Sequence, residues 1–205
     1  MKVLILNGSP HANGSTYTAL HEMETVFAQQ GIETELIHVG TEVIRGCIDC
    51  RSCKQTGKCV FDDIVNTIAD KFAAADGLVV GSPVYYASAN ATLDALLTRL
   101  FFSTSFDKTM KVGTAVVSAR RGGLTASFDQ LNKYFAISGM PIAAGCYWNG
   151  IHGMNADDAR QDGEGLYMMR TLARNMSFLM KSIALGKEAY GLPEKEDRVV
   201  TNFIR

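Results

Sequence analysis

Apolar runs and helical stripes alternate along this chain from one end to the other, and that alternation leaves few folds open. Lys2–Asn7, Gly77–Gly81, Val112–Ser118 and Met140–Ala144 are short, largely apolar runs, and Ile32–Val39 reads as a further strand. Runs of that kind read as strands buried on both faces. Between them apolar residues recur at helical spacing. Ala19, Leu20, Met23, Val26 and Phe27 form one stripe, with Gly31 as its stop. Ile64, Val65, Ile68 and Phe72 follow Asp63, a natural N-cap. Leu93, Leu96, Leu97, Leu100 and Phe101 form a third stripe, and Phe128, Leu131 and Phe135 a fourth. A long last helix carries Leu166, Met169, Leu172, Met176, Leu179 and Ile183, whose methionines read as core filling. Five strands alternating with five helices predict an α/β three-layer sandwich around a five-stranded parallel sheet in order 2-1-3-4-5. In such a sheet ligands sit outside the carboxyl ends of the strands, at the switch between strands one and three.

A chain of 205 residues makes one domain, residues 1–205, with a cysteine-rich loop at 46–63 and a polar tail at 186–205. Val199, Val200, Phe203 and Ile204 in that tail are expected to lie against the body or a neighbouring subunit. Twenty Lys and Arg against 21 Asp and Glu leave a formal charge of -1, which excludes a polybasic surface for nucleic acid or membrane. The apolar start, Met1 to Leu6, is too short for a signal-peptide core, and no apolar run reaches bilayer length. The expectation is a cytoplasmic protein without a membrane span.

Three loops fall on the carboxyl edge. The first, Gly8–Thr16, opens a helix, and backbone N–H groups there, with Ser and Thr hydroxyls, can hold a phosphate. It is not a P-loop, because Asn13 follows Gly8 and four residues, and no Lys precedes Ser15. A flavin-type phosphate monoester fits it better than a triphosphate. An ordinary strand-to-helix turn with Ser and Thr caps is the competing reading. The second loop, Ser82-Pro83-Val84-Tyr85-Tyr86-Ala87, offers a rigid proline and two aromatics to a flat ring, or is a packed loop with hydrogen-bonded tyrosines. In the third, Ser118–Gly123, the Gly122-Gly123 pair permits close approach to a ligand. Arg120 or Arg121 would stabilise an anion or a nucleotide phosphate, or would simply be solvated.

Four of the five cysteines, Cys47, Cys50, Cys53 and Cys59, lie on the loop after strand two in the pattern C-x2-C-x2-C-x5-C. Such spacing matches iron-sulfur ligation, and four thiolates satisfy a [4Fe-4S] cluster. Zinc, no metal at all, and a redox-active disulfide remain open alternatives. Cys146 stands apart and reads as an inert core or loop thiol. Of the histidines, His21 and His38 read as surface residues, and His152 as a residue of a glycine-flanked loop near strand five, with a place at the edge of the ligand site as the alternative. No catalytic triad is evident.

Gly8–Thr16 (G-S-P-H-A-N-G-S-T), Gly81–Tyr86 (G-S-P-V-Y-Y) and Arg120–Gly123 (R-R-G-G) together resemble the NAD(P)H-dependent FMN reductases of the flavodoxin-like superfamily. Gly46–Asp63 (G-C-I-D-C-R-S-C-K-Q-T-G-K-C-V-F-D-D) is similar to the iron-sulfur flavoprotein branch of that group, as is Asp162-Gly163-Glu164-Gly165 before the last helix. The resemblance implies a flavodoxin-like fold and non-covalent FMN. The phosphate would sit among Ser9, His11, Asn13, Gly14, Ser15 and Thr16. The ring would lie against Pro83, Val84, Tyr85, Tyr86 and Ala87, with Ser118, Arg120, Gly122 and Gly123 near its other edge. His11 stands where an Arg is common, which lowers the charge offered to the phosphate. The same resemblance implies hydride transfer from NAD(P)H and electron delivery to a flavin, quinone or similar acceptor. Its alternatives are an electron carrier with a [4Fe-4S] cluster on Cys47, Cys50, Cys53 and Cys59 serving a ferredoxin-like partner, and a zinc-stabilised binding module. A homodimer or homotetramer is implied as well.

Overall fold

The computed structural model describes residues 1–197, 199–201 and 203. Its strands are β1 (Lys2–Asn7), β2 (Glu33–His38), β3 (Gly77–Tyr85), β4 (Ser88–Ala89), β5 (Val112–Ala119) and β6 (Gly150–His152). Its helices are α1 (Ser15–Gln29), α2 (Cys53–Thr56), α3 (Ile64–Ala74), α4 (Ala91–Ser103), α5 (Leu124–Ile137), α6 (Ala156–Gln161) and α7 (Gly163–Tyr190). The parallel ladder runs β2-β1-β3-β5-β6, with β4 folded back antiparallel on the end of β3. Without that hairpin the order is the predicted 2-1-3-4-5. No helix among the described residues is long and apolar enough to cross a membrane.

The continuous apolar strands are covered on both faces. Val3, Ile5, Val79 and Val116 pack on one side with Leu20, Phe27, Leu172 and Met176, from α1 and α7. Leu4, Leu6, Leu78, Val80 and Val117 pack on the other with Phe72, Leu96, Leu100 and Phe135, from α3, α4 and α5. Asp63 caps α3 as predicted, accepting from Val65 N at 3.1 Å.

Two expectations need correction. Met140–Ala144 is not a strand; it makes a single bridge, Gly113 to Ile142. The cause is an excursion between Ala144 and Gly150, where Tyr147 and Asn149 adopt left-handed backbone. Asn149 is fully buried and substitutes for the missing ladder, its Nδ2 donating to Ala115 O at 3.2 Å and its own carbonyl accepting from Val117 N at 3.1 Å. The last strand position passes to β6, paired with Val117–Ala119. The second correction concerns the tail. The last helix runs through Gly186 to Tyr190, so the tail begins beyond its expected boundary; Val199, Val200 and Phe203 are exposed on this chain, where a neighbouring subunit could still meet them. Ile204 lies outside the described residues.

Between α4 and α5, Tyr134 donates its hydroxyl to Asp94 Oδ1 at 2.7 Å and accepts from Thr98. Burial, with the Asp94 carboxylate beside it, pushes the phenol from 10.0 up to about 12. A group whose folded value is raised holds the fold below its unfolded value and loses that contribution as pH climbs through the folded one. Stability should therefore fall between pH 10 and 12. Denaturant melts of Tyr134→Phe should lack that part of the decline.

Candidate functional site

Loop one is drawn tight by hydrogen bonds from buried side chains at its base. Asn7 is wholly buried at the end of β1. Its Oδ1 accepts from Ser9 N at 3.0 Å and its Nδ2 donates to Ala12 O at 3.2 Å. Ser9 is buried too, and its hydroxyl accepts from His11 N at 3.1 Å. His38, read above as a surface residue, is half-buried and donates from Nε2 to the Ser9 carbonyl at 2.7 Å. Gly40 abuts the same carbonyl: a Cβ there would overlap Ser9 O and stand 2.7 Å from Pro10 N. Asn90, the cap of α4, donates from Nδ2 to Gly8 O at 2.6 Å and from its backbone to Ser82 Oγ at 2.8 Å. It ties loop one to loop two.

Helix α1 begins at Ser15 with Gly14 as its cap, no side chain bonded to its first amides and no acid in its first turn. The free amides and the helix dipole make this end attractive to an anion. The hydroxyls are less free than the sequence suggests. Ser15 Oγ donates to Asn155 O at 2.9 Å, and Thr16 and Ser118 share a buried bond of 2.8 Å.

Loop two is a hairpin. Val84 pairs with Ala89 and Tyr85 with Ser88, leaving Tyr86 and Ala87 as a two-residue turn, both left-handed. That is the conformation a tight hairpin demands. It throws Tyr86 fully into solvent. Loop three packs on this hairpin through Gly123, at φ +94°, where a Cβ would stand 2.8 Å from Val84 Cγ1 and 3.0 Å from Ala87 Cα. Gly123 thus serves loop-to-loop packing, while Gly122 has open space beside it.

The three loops line one cleft of about 880 Å³ at the carboxyl edge of the sheet. Ser9, His11, Asn13, Gly14, Ser15 and Thr16 line it from loop one, Pro83, Val84 and Tyr85 from loop two, and Ser118 and Arg120 from loop three. Tyr86, Ala87, Gly122 and Gly123 do not. A fourth wall, Gly153–Asp157, escaped the sequence reading. Asn155 with Asp157 and Asp158 in the turn behind it is a helix-start signal that could have flagged it: Asn155 caps α6, accepting from Asp158 N. His152 sits just outside, its amide bonded to Asp162 Oδ2 at 2.7 Å. Asp162 in turn caps α7 through Gly165 N.

The four loop cysteines surround a second, smaller pocket with Ile48, Phe61, Arg99 and Phe102. Among the described residues no cysteine is joined in a disulfide. Among the described residues no three His, Cys, Asp or Glu side chains converge on a point where one metal ion would sit. The donor set, four thiols around one concavity, fits a polynuclear sulfur-bridged group. The backbone of Cys59 is gripped by Asn66, whose Oδ1 accepts from Cys59 N at 2.9 Å and whose Nδ2 donates to Cys59 O at 3.1 Å. Arg99, from α4, is buried beside the pocket, with Nη1 on Asp63 Oδ2 at 2.6 Å and Nη2 on Asp63 Oδ1 at 2.9 Å. Burial opposes its charge, but the Asp63 carboxylate and the Cys59 sulfur outweigh that and raise its proton affinity. Cys146 is partly buried against the core, as expected.

The sheet order and the cleft at its switch point define a flavodoxin-like α/β protein. Solved structures with this fold include an archaeal flavodoxin (TM-score 0.58, 14% identity, 88% of this chain and 99% of that one). Another is an NAD(P)H:quinone oxidoreductase from Methanothermobacter marburgensis (TM-score 0.67, 17% identity, 86% and 96%). The chain belongs to the NADPH-dependent FMN reductase family, whose model matches residues 1–153, and it is by that membership an NAD(P)H-dependent flavin oxidoreductase. It is also similar to an iron-sulfur flavoprotein of Methanocaldococcus jannaschii, 33% identical over 191 residues, 89% of this chain and 99% of that protein.

Proposed function

We propose that the chain binds FMN in the 880 Å³ cleft, takes hydride from NAD(P)H, and delivers electrons to a flavin, quinone or similar small acceptor. One observation carries this reading: loops from three strands and a fourth wall meet on a single cleft at the switch point. The first-turn amides of α1, with Asn13 and His11 beside them, would hold the phosphate. Pro83, Val84 and Tyr85 would support the ring, with Ser118 and Arg120 at its far edge. Arg120 supplies a positive charge there, suited to electron-rich forms of a ring or to an incoming nucleotide. FMN, when bound, accepts a hydride and returns electrons singly or in pairs; the chain binds and orients it. The cleft is wide and open, so donor and acceptor would use it in turn.

The Cys47, Cys50, Cys53 and Cys59 pocket favours a second element, a [4Fe-4S] cluster, and with it one-electron exchange with a ferredoxin-like partner. The thiols' common pocket and the names of the relatives support this over zinc. Assembly as a homodimer or homotetramer is in keeping with the exposed Tyr167, Phe178 and Leu185 on α7. Anaerobic protein mixed with NADPH or NADH in stopped flow should lose its flavin band within turnover time. A band that stays oxidised with both donors sinks the reductase reading. Four irons and four acid-labile sulfides per chain are expected in the same sample, and zinc in their place sinks the cluster.

A further inference from the structure

Arg99 is the most heavily engaged side chain of the cysteine pocket, and the flavin chemistry makes no use of it. It is 1% exposed and sits on the face of α4 turned towards the cysteine loop. Its Nε and Nη2 both point at Cys59 Sγ, at 3.3 and 3.2 Å. Nη1 also reaches Arg45 O at 3.3 Å, and the guanidinium lies 5.0 Å from the centre of the Phe61 ring. Asp63 grips the far side of the fork. No other cysteine of the loop receives a hydrogen bond from a charged side chain among the described residues.

A packing role would not require two donors on one sulfur. Hydrogen bonds to ligand sulfurs and nearby charge are among the levers that set an iron-sulfur potential, and burial keeps such a charge from being screened by solvent ions. We propose that Arg99, acting through Cys59, sets the reduction potential of the cluster held by the four-cysteine loop, with Asp63 as its counterweight. The inference rests on the cluster reading above. One-electron reduction adds a negative charge next to Cys59, and the guanidinium stabilises that added charge. Asp63, fixed behind the guanidinium, opposes it. The two residues therefore push the potential in opposite directions although they belong to one ion pair.

The test is an anaerobic redox titration of purified protein followed by electron paramagnetic resonance, with iron and sulfide counted in each sample. Arg99→Gln keeps much of the length and loses the charge. Its reduction equilibrium should shift at least tenfold towards the oxidised form, about 59 mV for one electron. Asp63→Asn keeps a helix-capping residue and removes the counterweight, so its midpoint should move up. Opposite signs are the result expected; a residue that merely braces the loop gives the same sign or no shift in both variants. Midpoints equal to wild type in variants that keep their iron overturn the role of Arg99 and leave the cluster standing. Loss of iron from both variants assigns the pair to loop folding and overturns it too. Wild-type protein without iron and sulfide removes the cluster itself, and this inference with it.

Discussion

Asn13→Asp should weaken FMN binding about a hundredfold while leaving the empty protein as stable as before or slightly more so. Asn13 lines the cleft just ahead of the uncapped first turn of α1. A carboxylate there gains a few tenths of a kcal/mol from the helix dipole when nothing is bound. With a phosphate in place, two like charges about 5 Å apart repel by roughly 3 kcal/mol at an effective dielectric near 20. That repulsion corresponds to about two decades in Kd. Titration by flavin fluorescence with FMN and with riboflavin checks the argument, because riboflavin lacks the phosphate. Riboflavin affinity should change little. Equal losses for both flavins would move the phosphate away from α1.

Gly40→Ala should cost about 3 kcal/mol of stability, and with it most of the flavin affinity. The added Cβ meets backbone atoms of Ser9 and Pro10, which have no flexible side chain to swing aside. Overpacking of a well-filled site typically costs about 1–3 kcal/mol, and backbone obstacles belong at the upper end. For a chain of this size that lowers Tm by roughly 6–12 °C. The displaced Ser9 carbonyl would also lose the His38 hydrogen bond that fixes loop one. Gly186→Ala is the control. It lies inside α7 with nothing within 4 Å of a new Cβ. Exchanging a helical glycine for alanine there should stabilise by up to about 1 kcal/mol. Thermal melts with and without FMN read both effects, and a silent Gly40→Ala would mean that loop one and the β2 turn are not in register.

Much of this arrangement was readable from the chain because it depends on short-range signals. β1, β3 and β5 are compact apolar runs, and loop one follows β1 directly, so its place at the sheet edge needed only the topology. What escaped depends on partners far away in sequence. Arg99 stands between Leu97 and Leu100 of an apolar stripe, and nothing local says that its charge is met by Asp63, 36 positions earlier. His38 looks like an edge-strand residue until the loop it supports is folded above it. The fifth strand was misplaced because Met140–Ala144 is apolar enough to pass for one. Its pairing was displaced by a buried side-chain amide from Asn149, a substitution invisible to hydrophobic patterning. The fourth wall of the cleft depends on that displacement, since Gly153–Asp157 follow β6.

Helix α4 is capped by Asn90, which ties loop one to loop two, and carries Arg99, which faces the cysteine pocket. Nine residues of α-helix separate them, about 14 Å along the axis. A single continuous rod, buried along Leu93, Leu96, Leu97 and Leu100, thus spans from one pocket to the other. The two sites are held at a preset spacing like marks on a ruler. Loop motions around either can change what is admitted, but the gap between the two anchoring residues stays constant, so the distance that anything exchanged within one chain has to cross is built into the helix.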